Sequence, residues 1–177
     1  QRLAFYDALT GLPNRMLLMD RMGHALANAQ RRQQGGALLF IDLDNFKQLN
    51  DTLGHDQGDL LLQQVAQRLN TCVRSVDTVA RLGGDEFVVM LEELSAKPHE
   101  LALHARSVGE KILTMLAVPY ALQGYQYRST PSIGIAPFTG EQTTVGELLK
   151  QADLAMYQAK TAGRNTLRFF DPDMQAV

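Results

Sequence analysis

The chain is expected to fold as a single α/β-type layer domain, with helices packed on a central sheet. Two observations predict this. Its 177 residues are 45% apolar, enough for one sizeable core. Short strand-like apolar runs alternate throughout with stretches of helical periodicity, without internal repeats or low-complexity segments. A net charge of −2 offers no basic face for a duplex, so neither DNA nor RNA is an expected partner. No apolar run approaches the roughly 18–20 residues of a membrane span, and no signal peptide opens the chain, so the domain is expected to make no membrane contact. Cys72 is the only cysteine and cannot form an internal disulfide, which fits a reducing, cytoplasmic setting. Gln1 is not an initiator Met, so a piece of a longer protein is expected, one whose full length leaves room for a membrane anchor.

The first stretch, Asp7 to Arg15, is turn-rich and contains Pro13, a residue suited to the start of a helix. Leu17, Leu18, Arg21, Met22, Ala25, Leu26 and Ala29 then follow at helical spacing as far as Gly35-Gly36. Ala37 to Ile41 is a continuous apolar run, the pattern of a buried central strand. It ends in Asp42-Leu43-Asp44. Carboxylates at the end of a buried strand are costly unless paired, hydrogen-bonded or cation-bound. Strand alternation puts Asp42 and Asp44 on one face with the Leu43 carbonyl between them. Hard oxygen ligands so spaced suit Mg²⁺, which keeps several waters and shares phosphate oxygens. Helix-capping aspartates are the alternative.

Asn45 to Leu53 reads as a short helix carrying Phe46, Lys47, Asn50 and Asp51. Gly54 to Asp59 reads as a turn into a longer helix, whose Leu62, Val65, Leu69 and Cys72/Val73 bury one face. Taken alone, His55 is a capping or surface histidine. Asn50 and Asp59 matter as a pair, because an amide and a carboxylate together can read a base edge. A carboxylate accepts both N–H groups that guanine, unlike adenine, presents on one edge. Arg74 and Asp77 are explained by an i,i+3 ion pair.

Thr78 to Leu82 and Phe87 to Leu91 are β-type runs joined by Gly83-Gly84-Asp85-Glu86, and read as a hairpin. The glycines can take positive φ and let a backbone or phosphate come close. Asp85 and Glu86 at the tip must be solvated or bind something. Leu101, Ala105, Val108, Ile112 and Met115/Leu116 mark an amphipathic helix of two to four turns. Val118 to Phe138 reads as a second hairpin turning near Gln123-Gly124, its second strand carrying Ser132 to Ala136. Pro131 cannot donate to a ladder, so that strand is at an edge there or begins at Ser132. Thr144-Val145-Gly146-Glu147 is a capping box opening a helix over Leu148 to Ala159, with Gly163 as its stop. Lys160 and Arg164 near its end either compensate the macrodipole or clamp phosphate. Thr166 to Phe170 is a final strand, and the chain then leaves through a linker.

Taken together, Asp7-x-Leu-Thr-Gly-Leu-x-Asn-Arg15, Phe40-Ile-Asp-Leu-Asp-x-Phe-Lys47, Asn50-Asp51, Gly54-His55-x-x-Gly58-Asp59, Arg81-x-Gly-Gly-Asp-Glu-Phe87, Ser132-Ile-Gly-Ile-Ala136 and Ala155-Met-Tyr-x-Ala-Lys160-x-x-Gly-Arg-Asn165 closely resemble the GGDEF diguanylate cyclase family. The match runs in order from Asp7 to Asn165, and the departures from the pattern (Asp at 85, Pro131) leave the active site intact. The resemblance implies an α+β fold with a central, mostly antiparallel five-stranded sheet flanked by helices, akin to nucleotidyl cyclases and the polymerase palm. It implies that residues 1–170 are the cyclase domain and that 171–177 begin a C-terminal linker of the kind that leads to an EAL phosphodiesterase domain, with a sensor upstream.

The resemblance further implies condensation of two GTP molecules into cyclic di-GMP with pyrophosphate release, by a homodimer whose sites face each other. Carried over by position, Asp42, the Leu43 carbonyl and Asp85 hold Mg²⁺ or Mn²⁺. Asn50 and Asp59 read guanine, with His55 nearby. Phe46, Lys47, Lys160, Arg164 and the Gly83-Gly84 backbone hold the triphosphate. Asp85, Glu86 and Lys47 serve the chemistry, and Arg74 with Asp77 forms a product-binding inhibitory site. Two other readings stand beside this one: a catalytically silent module that binds GTP or cyclic di-GMP, and a purine nucleotidyl cyclase with another product, which the Asn50 and Asp59 pair disfavours.

Overall fold

The structure, a computed structural model, describes residues 2–140 and 143–175. In chain order the elements are α1 (Arg2–Phe5), α2 (Arg15–Arg32), β1 (Gly35–Leu43), α3 (Phe46–Leu53), α4 (His55–Thr71), β2 (Thr78–Gly83), β3 (Glu86–Leu94), α5 (Pro98–Ala117), β4 (Tyr120–Leu122), β5 (Tyr125–Tyr127), β6 (Pro131–Phe138), α6 (Val145–Thr161) and β7 (Thr166–Phe169). A 3-10 turn, Pro172–Gln175, follows against α6. Five strands form the central sheet in the order β2-β3-β1-β6-β7. Its pairs are antiparallel except β6–β7, so the expected mostly antiparallel five-stranded sheet is present.

The apolar run in β1 explains why it lies in the middle. Ala37, Leu38, Leu39 and Ile41 are fully buried. Leu39 and Ile41 join Val89, Ile133, Leu62 and Ile112 on the face covered by α4 and α5. Leu38 and Phe40 join Val88, Ala136, Met22 and Met156 on the face covered by α2 and α6. Each large side chain so buried contributes about 1.5–3 kcal/mol. A slip of one residue would swap the two faces, so the register is tightly held. That register sets Asp42 opposite Glu86 of β3 and Ser132 of β6.

Two glycines allow the close approaches the site needs. A Cβ on Gly134 would lie 2.1 Å from the Ala152 carbonyl oxygen and the Met156 nitrogen, so α6 can lie flat on β6 only because that position is glycine. A Cβ on Gly58 would lie 1.9 Å from Asn50 Oδ1, so α3 and α4 meet through a second such contact.

Several boundaries differ from expectation. Pro13 does not start α2: it bridges to Tyr6, and the Asn14 side chain caps the helix by accepting from the Leu17 N–H at 3.1 Å. The expected turn over 54–59 is a single residue, Gly54, with φ +95, and His55 already opens α4. Helix α5 has 20 residues, longer than the expected two to four turns. The second hairpin is only β4–β5, a separate ribbon turning at Gln123-Gly124. Ser132 to Ala136 lies instead in β6, between β1 and β7. The ribbon stays apart because Arg68 stacks 3.7 Å over the Tyr120 ring and donates to the carbonyls of Met115, Val118 and Pro119 at the end of α5. Pro131 is the first residue of β6, beyond the reach of β7, where no N–H is required of it. Of the expected linker, residues 172–175 form the 3-10 turn, and 176–177 lie outside the described residues. No helix among the described residues is long and apolar enough to cross a membrane.

Candidate active site

The end of β1 and the tip of the β2–β3 hairpin meet at one place. Gly83 (φ +144) and Gly84 (φ +50) take backbone angles that L side chains resist, and the tip turns through Gly84-Asp85. The Leu43 N–H donates to the Asp85 carbonyl at 3.3 Å. In an antiparallel ladder the N–H and C=O of a residue face the same neighbour, so the Leu43 carbonyl faces the tip as well. Asp42, Leu43, Asp85 and Glu86, expected from sequence to share a site, are brought together.

The electrostatics of this corner favour a cation. Burial, and then the Asp85 carboxyl beside it, push the Asp42 carboxyl up to about 7, while Lys160 pulls the other way. Lys160 Nζ lies 3.4 Å from Asp42 Oδ2 and 3.7 Å from Asp44 Oδ1. Asp42 Oδ1 is buried without a hydrogen-bond partner among the described residues. Burial and then Asp42 and Asp153 raise Glu86, against Arg15 and Lys160. Asp153 is raised by burial and by Asp42. Among the described residues no three His, Cys, Asp or Glu side chains close on a common point. Two carboxylates and a carbonyl, one oxygen left over, fit a hard divalent ion that keeps waters and takes further oxygens from a substrate.

Asp153 and Arg15 are charged neighbours of this corner that sequence reasoning did not single out. A signal existed for Asp153: it precedes Lys160 by seven residues on α6, hence lies on the same helical face. Asp44 is a correction to the paired-aspartate expectation. Its carboxylate is committed to Thr130, Ser132 and Asn165 at 2.6–3.0 Å, whereas Asp42 keeps one oxygen without a partner among the described residues.

On the other side of β1, Asn50 is half-buried against Gly58, and its Oδ1 lacks a partner among the described residues. His55 and Asp59 are both exposed and line one open cleft with Leu53 and Gln123. The Phe46 ring packs into the core beside Gly58, whereas Lys47 stands exposed. Arg164 is exposed on the loop after α6. Arg74 and Asp77 lie apart from this corner, at the start of β2. Arg74 Nε and Nη2 donate to Asp77 at 3.1 and 2.9 Å, so the i,i+3 ion pair is formed.

One further arginine shapes the tip. Arg81 donates through Nε and Nη2 to the Gly84 carbonyl at 3.0 and 2.8 Å, and through Nη1 to both Asp7 oxygens at 3.0 and 3.1 Å. Asp7 also accepts from the Thr10 N–H and hydroxyl. The N-terminal loop is thereby fastened to the glycine turn.

Comparison with known proteins agrees with this geometry. The family model described as "Diguanylate cyclase, GGDEF domain" matches residues 4–166. The chain is 46% identical over 175 residues to the bifunctional diguanylate cyclase/cyclic di-GMP phosphodiesterase MucR of Pseudomonas aeruginosa, covering 99% of this chain and 25% of MucR. It is 39% identical to the cyclic di-GMP phosphodiesterase NbdA of the same organism, covering 96% of this chain and 21% of NbdA. The chain thus spans a quarter or less of these two relatives. The solved GGDEF domain of P. aeruginosa TpbB (YfiN) superimposes with a TM-score of 0.90 at 37% identity, with 97% of each chain covered. The chain belongs to the GGDEF diguanylate cyclase family.

Proposed function

We propose that this domain condenses two GTP molecules into cyclic di-GMP and two pyrophosphates. The observation that carries the reading is the meeting of Asp42 and Asp85 at a glycine turn, with Lys160 alongside and one Asp42 oxygen unpartnered. Asp42, the Leu43 carbonyl and Asp85 would hold Mg²⁺ or Mn²⁺. Such an ion neutralises charge developing on the transferred phosphoryl group and lowers the pKa of an attacking hydroxyl. Asn50 and Asp59, with His55 near, select guanine. Lys160, Arg164, Lys47 and the backbone at Phe46 and Gly83-Gly84 hold the triphosphate. Glu86, side by side with Asp42, adds a carboxylate at the reacting centre.

In each half of the reaction the 3′-oxygen of one GTP forms a bond to the α-phosphorus of the other. The bond to the β-phosphate breaks, and pyrophosphate leaves. One domain supplies one nucleotide, so two copies face each other about a two-fold axis. Arg74, half in solvent, forms with Asp77 the product site that restrains turnover. The domain works in the cytoplasm, where the free thiol of Cys72 persists.

Incubation with GTP and Mg²⁺ across protein concentrations, with chromatographic separation of products, tests this. Cyclic di-GMP is expected from the parent, rising faster than linearly with dilute enzyme, and none from Asp85→Ala. Strictly linear activity down to nanomolar enzyme would remove the homodimer, and product from Asp85→Ala would remove the metal assignment. Product inhibition that survives Arg74→Ala would remove the inhibitory site. ATP bound as well as GTP would point to another cyclase product.

The similarity to NbdA, named as a phosphodiesterase, favours one second reading: a silent module that binds GTP and regulates a neighbour. GTP binding without product, even in dimers forced by a fused coiled coil, would select it.

A further inference from the structure

Asp44 follows the last residue of β1, and its side chain is only 2% exposed. It gathers donors from distant parts of the chain. The Thr130 hydroxyl donates to Oδ2 at 2.7 Å, the Ser132 hydroxyl to Oδ1 at 2.6 Å and the Asn165 N–H to Oδ2 at 3.0 Å. Lys160 Nζ stands 3.7 Å from Oδ1, and the Asp44 N–H donates to the Thr130 carbonyl at 2.8 Å. A carboxylate offers about four lone-pair sites, and these partners use nearly all of them.

The loop it holds is unusual. Gly163, Arg164 and Asn165 are consecutive left-handed residues, with φ of +112, +65 and +49. Glycine accepts such angles freely and asparagine tolerates them, whereas arginine resists them. A run of this kind persists only where its surroundings over-determine it. Three ties do so here: the Gly163 N–H donates to the Lys160 carbonyl at 3.3 Å, the Arg164 N–H to the Ala159 carbonyl at 3.1 Å, and the Asn165 N–H to Asp44. Arg164 lies within the stretch that these ties fix, and Lys160 just before it.

We propose that Asp44 is a positioning residue: its buried carboxylate fixes the left-handed loop after α6 and so sets where Lys160 and Arg164 meet the phosphates of a nucleotide. This rests on the nucleotide-binding reading above. Asp44 touches no substrate in this scheme. Asp44→Asn keeps the shape but removes the charge: with its oxygen left to the Asn165 N–H and the Thr130 hydroxyl, its N–H₂ takes the place of Oδ1, where the Ser132 hydroxyl must turn to accept and the Lys160 ammonium loses its partner.

The test is equilibrium binding, in Mg²⁺, of 3′-deoxy-GTP, which lacks the attacking hydroxyl, and of 3′-deoxy-GMP. Parent, Asp44→Asn, Arg164→Ala and the double variant are compared. The parent is expected to prefer the triphosphate, and Asp44→Asn to lower that preference about tenfold, as loss of a supporting hydrogen bond does elsewhere, with monophosphate affinity unchanged. The double variant should lose little more than the worse single one, because both act through one loop. Thr130→Val, which removes one donor and keeps the charge, should show a smaller loss and serves if Asp44→Asn does not fold. A triphosphate preference present in the parent and untouched by these variants overturns the role of Asp44 alone. No such preference in the parent overturns the nucleotide reading, and the role of Asp44 with it.

Discussion

The β2–β3 hairpin carries an arginine–aspartate pair at each end, and the two pairs are built in opposite ways. At the tip, Arg81 and Asp7 are both largely enclosed, with side chains 13% and 18% exposed. The guanidinium is the hub there, divided between Asp7 and the Gly84 carbonyl. At the open end, Asp77 is 2% exposed and Arg74 45%. The carboxylate is the hub here, accepting from the Arg74 N–H, from its guanidinium and from the Glu92 N–H. Arg74 Nη2 also donates to the Glu92 carbonyl at 2.5 Å. Whichever partner is enclosed acts as the structural anchor. The tip pair is therefore a clamp on the glycine turn that carries Asp85. The other pair is an anchored turn that holds a guanidinium half in solvent, suited to meeting a phosphate.

The comparison breaks most visibly at Arg81. Arg81→Met keeps the stem and removes the guanidinium, leaving the tip free to shift relative to Asp42. Cyclase activity is expected to fall about a hundredfold, the scale of an ångström-sized misplacement, with a smaller loss of GTP affinity. Steady-state kinetics beside a binding measurement checks this, and activity within a few-fold of the parent would show that the turn needs no clamp.

At the open end the expected effect is an asymmetry in stability. Asp77→Ala strips the partners from the Arg74 and Glu92 N–H groups and should cost about 1–3 kcal/mol. Arg74→Ala removes a half-exposed partner and should cost less than about 1 kcal/mol. Urea melts of the two variants sharpen the contrast, and equal costs would contradict the assignment of Asp77 as anchor.

The last expected effect depends on pH. Burial alone would raise the Asp7 carboxyl, but hydrogen bonds from the Thr10 side chain and N–H, together with Arg81, outweigh it and leave it below its ordinary value of 3.8. The unfolded chain then binds more protons in that range, so Asp7 stabilises the fold above its ordinary value, and this is lost as pH falls through its folded value. Asp7→Asn should be about 1–2 kcal/mol less stable than the parent at neutral pH, the gap closing under acid conditions. A gap that stays constant in melts down to about pH 2 would argue against an ionised clamp.

Much of the fold was legible because its signals are local. The apolar run of β1, the glycines at the hairpin tip and the Thr144 cap were each read from neighbouring residues, and Thr144 Oγ1 does accept from the Glu147 N–H at 3.1 Å. What failed was the assignment of strands to partners. Ser132 to Ala136 looked like the return of a hairpin because Gln123-Gly124 makes a turn, yet its buried residues on both faces place it inside the main sheet. The family motifs name Asp42, Leu43, Asp85 and Glu86, which the fold brings together. The tie from Arg81 to Asp7 was not legible, because it joins residues 74 positions apart.

Asp42 and Asp44 mark the boundary between what the chain states and what the fold decides. The sequence by itself determined that two carboxylates would end a buried strand and that a glycine turn would join β2 and β3, since burial pattern and positive-φ glycines depend on residues close by. Only the family resemblance picked Asp42; the strand pattern could not say which of the two would keep an oxygen free. That was decided by donors 86, 88 and 121 residues away, which converge on Asp44 and leave Asp42 Oδ1 without a partner among the described residues. The reason is range: backbone preferences act within a few residues, whereas the hydrogen bonds that satisfy a buried charge come from whatever segments the sheet and helices bring beside it.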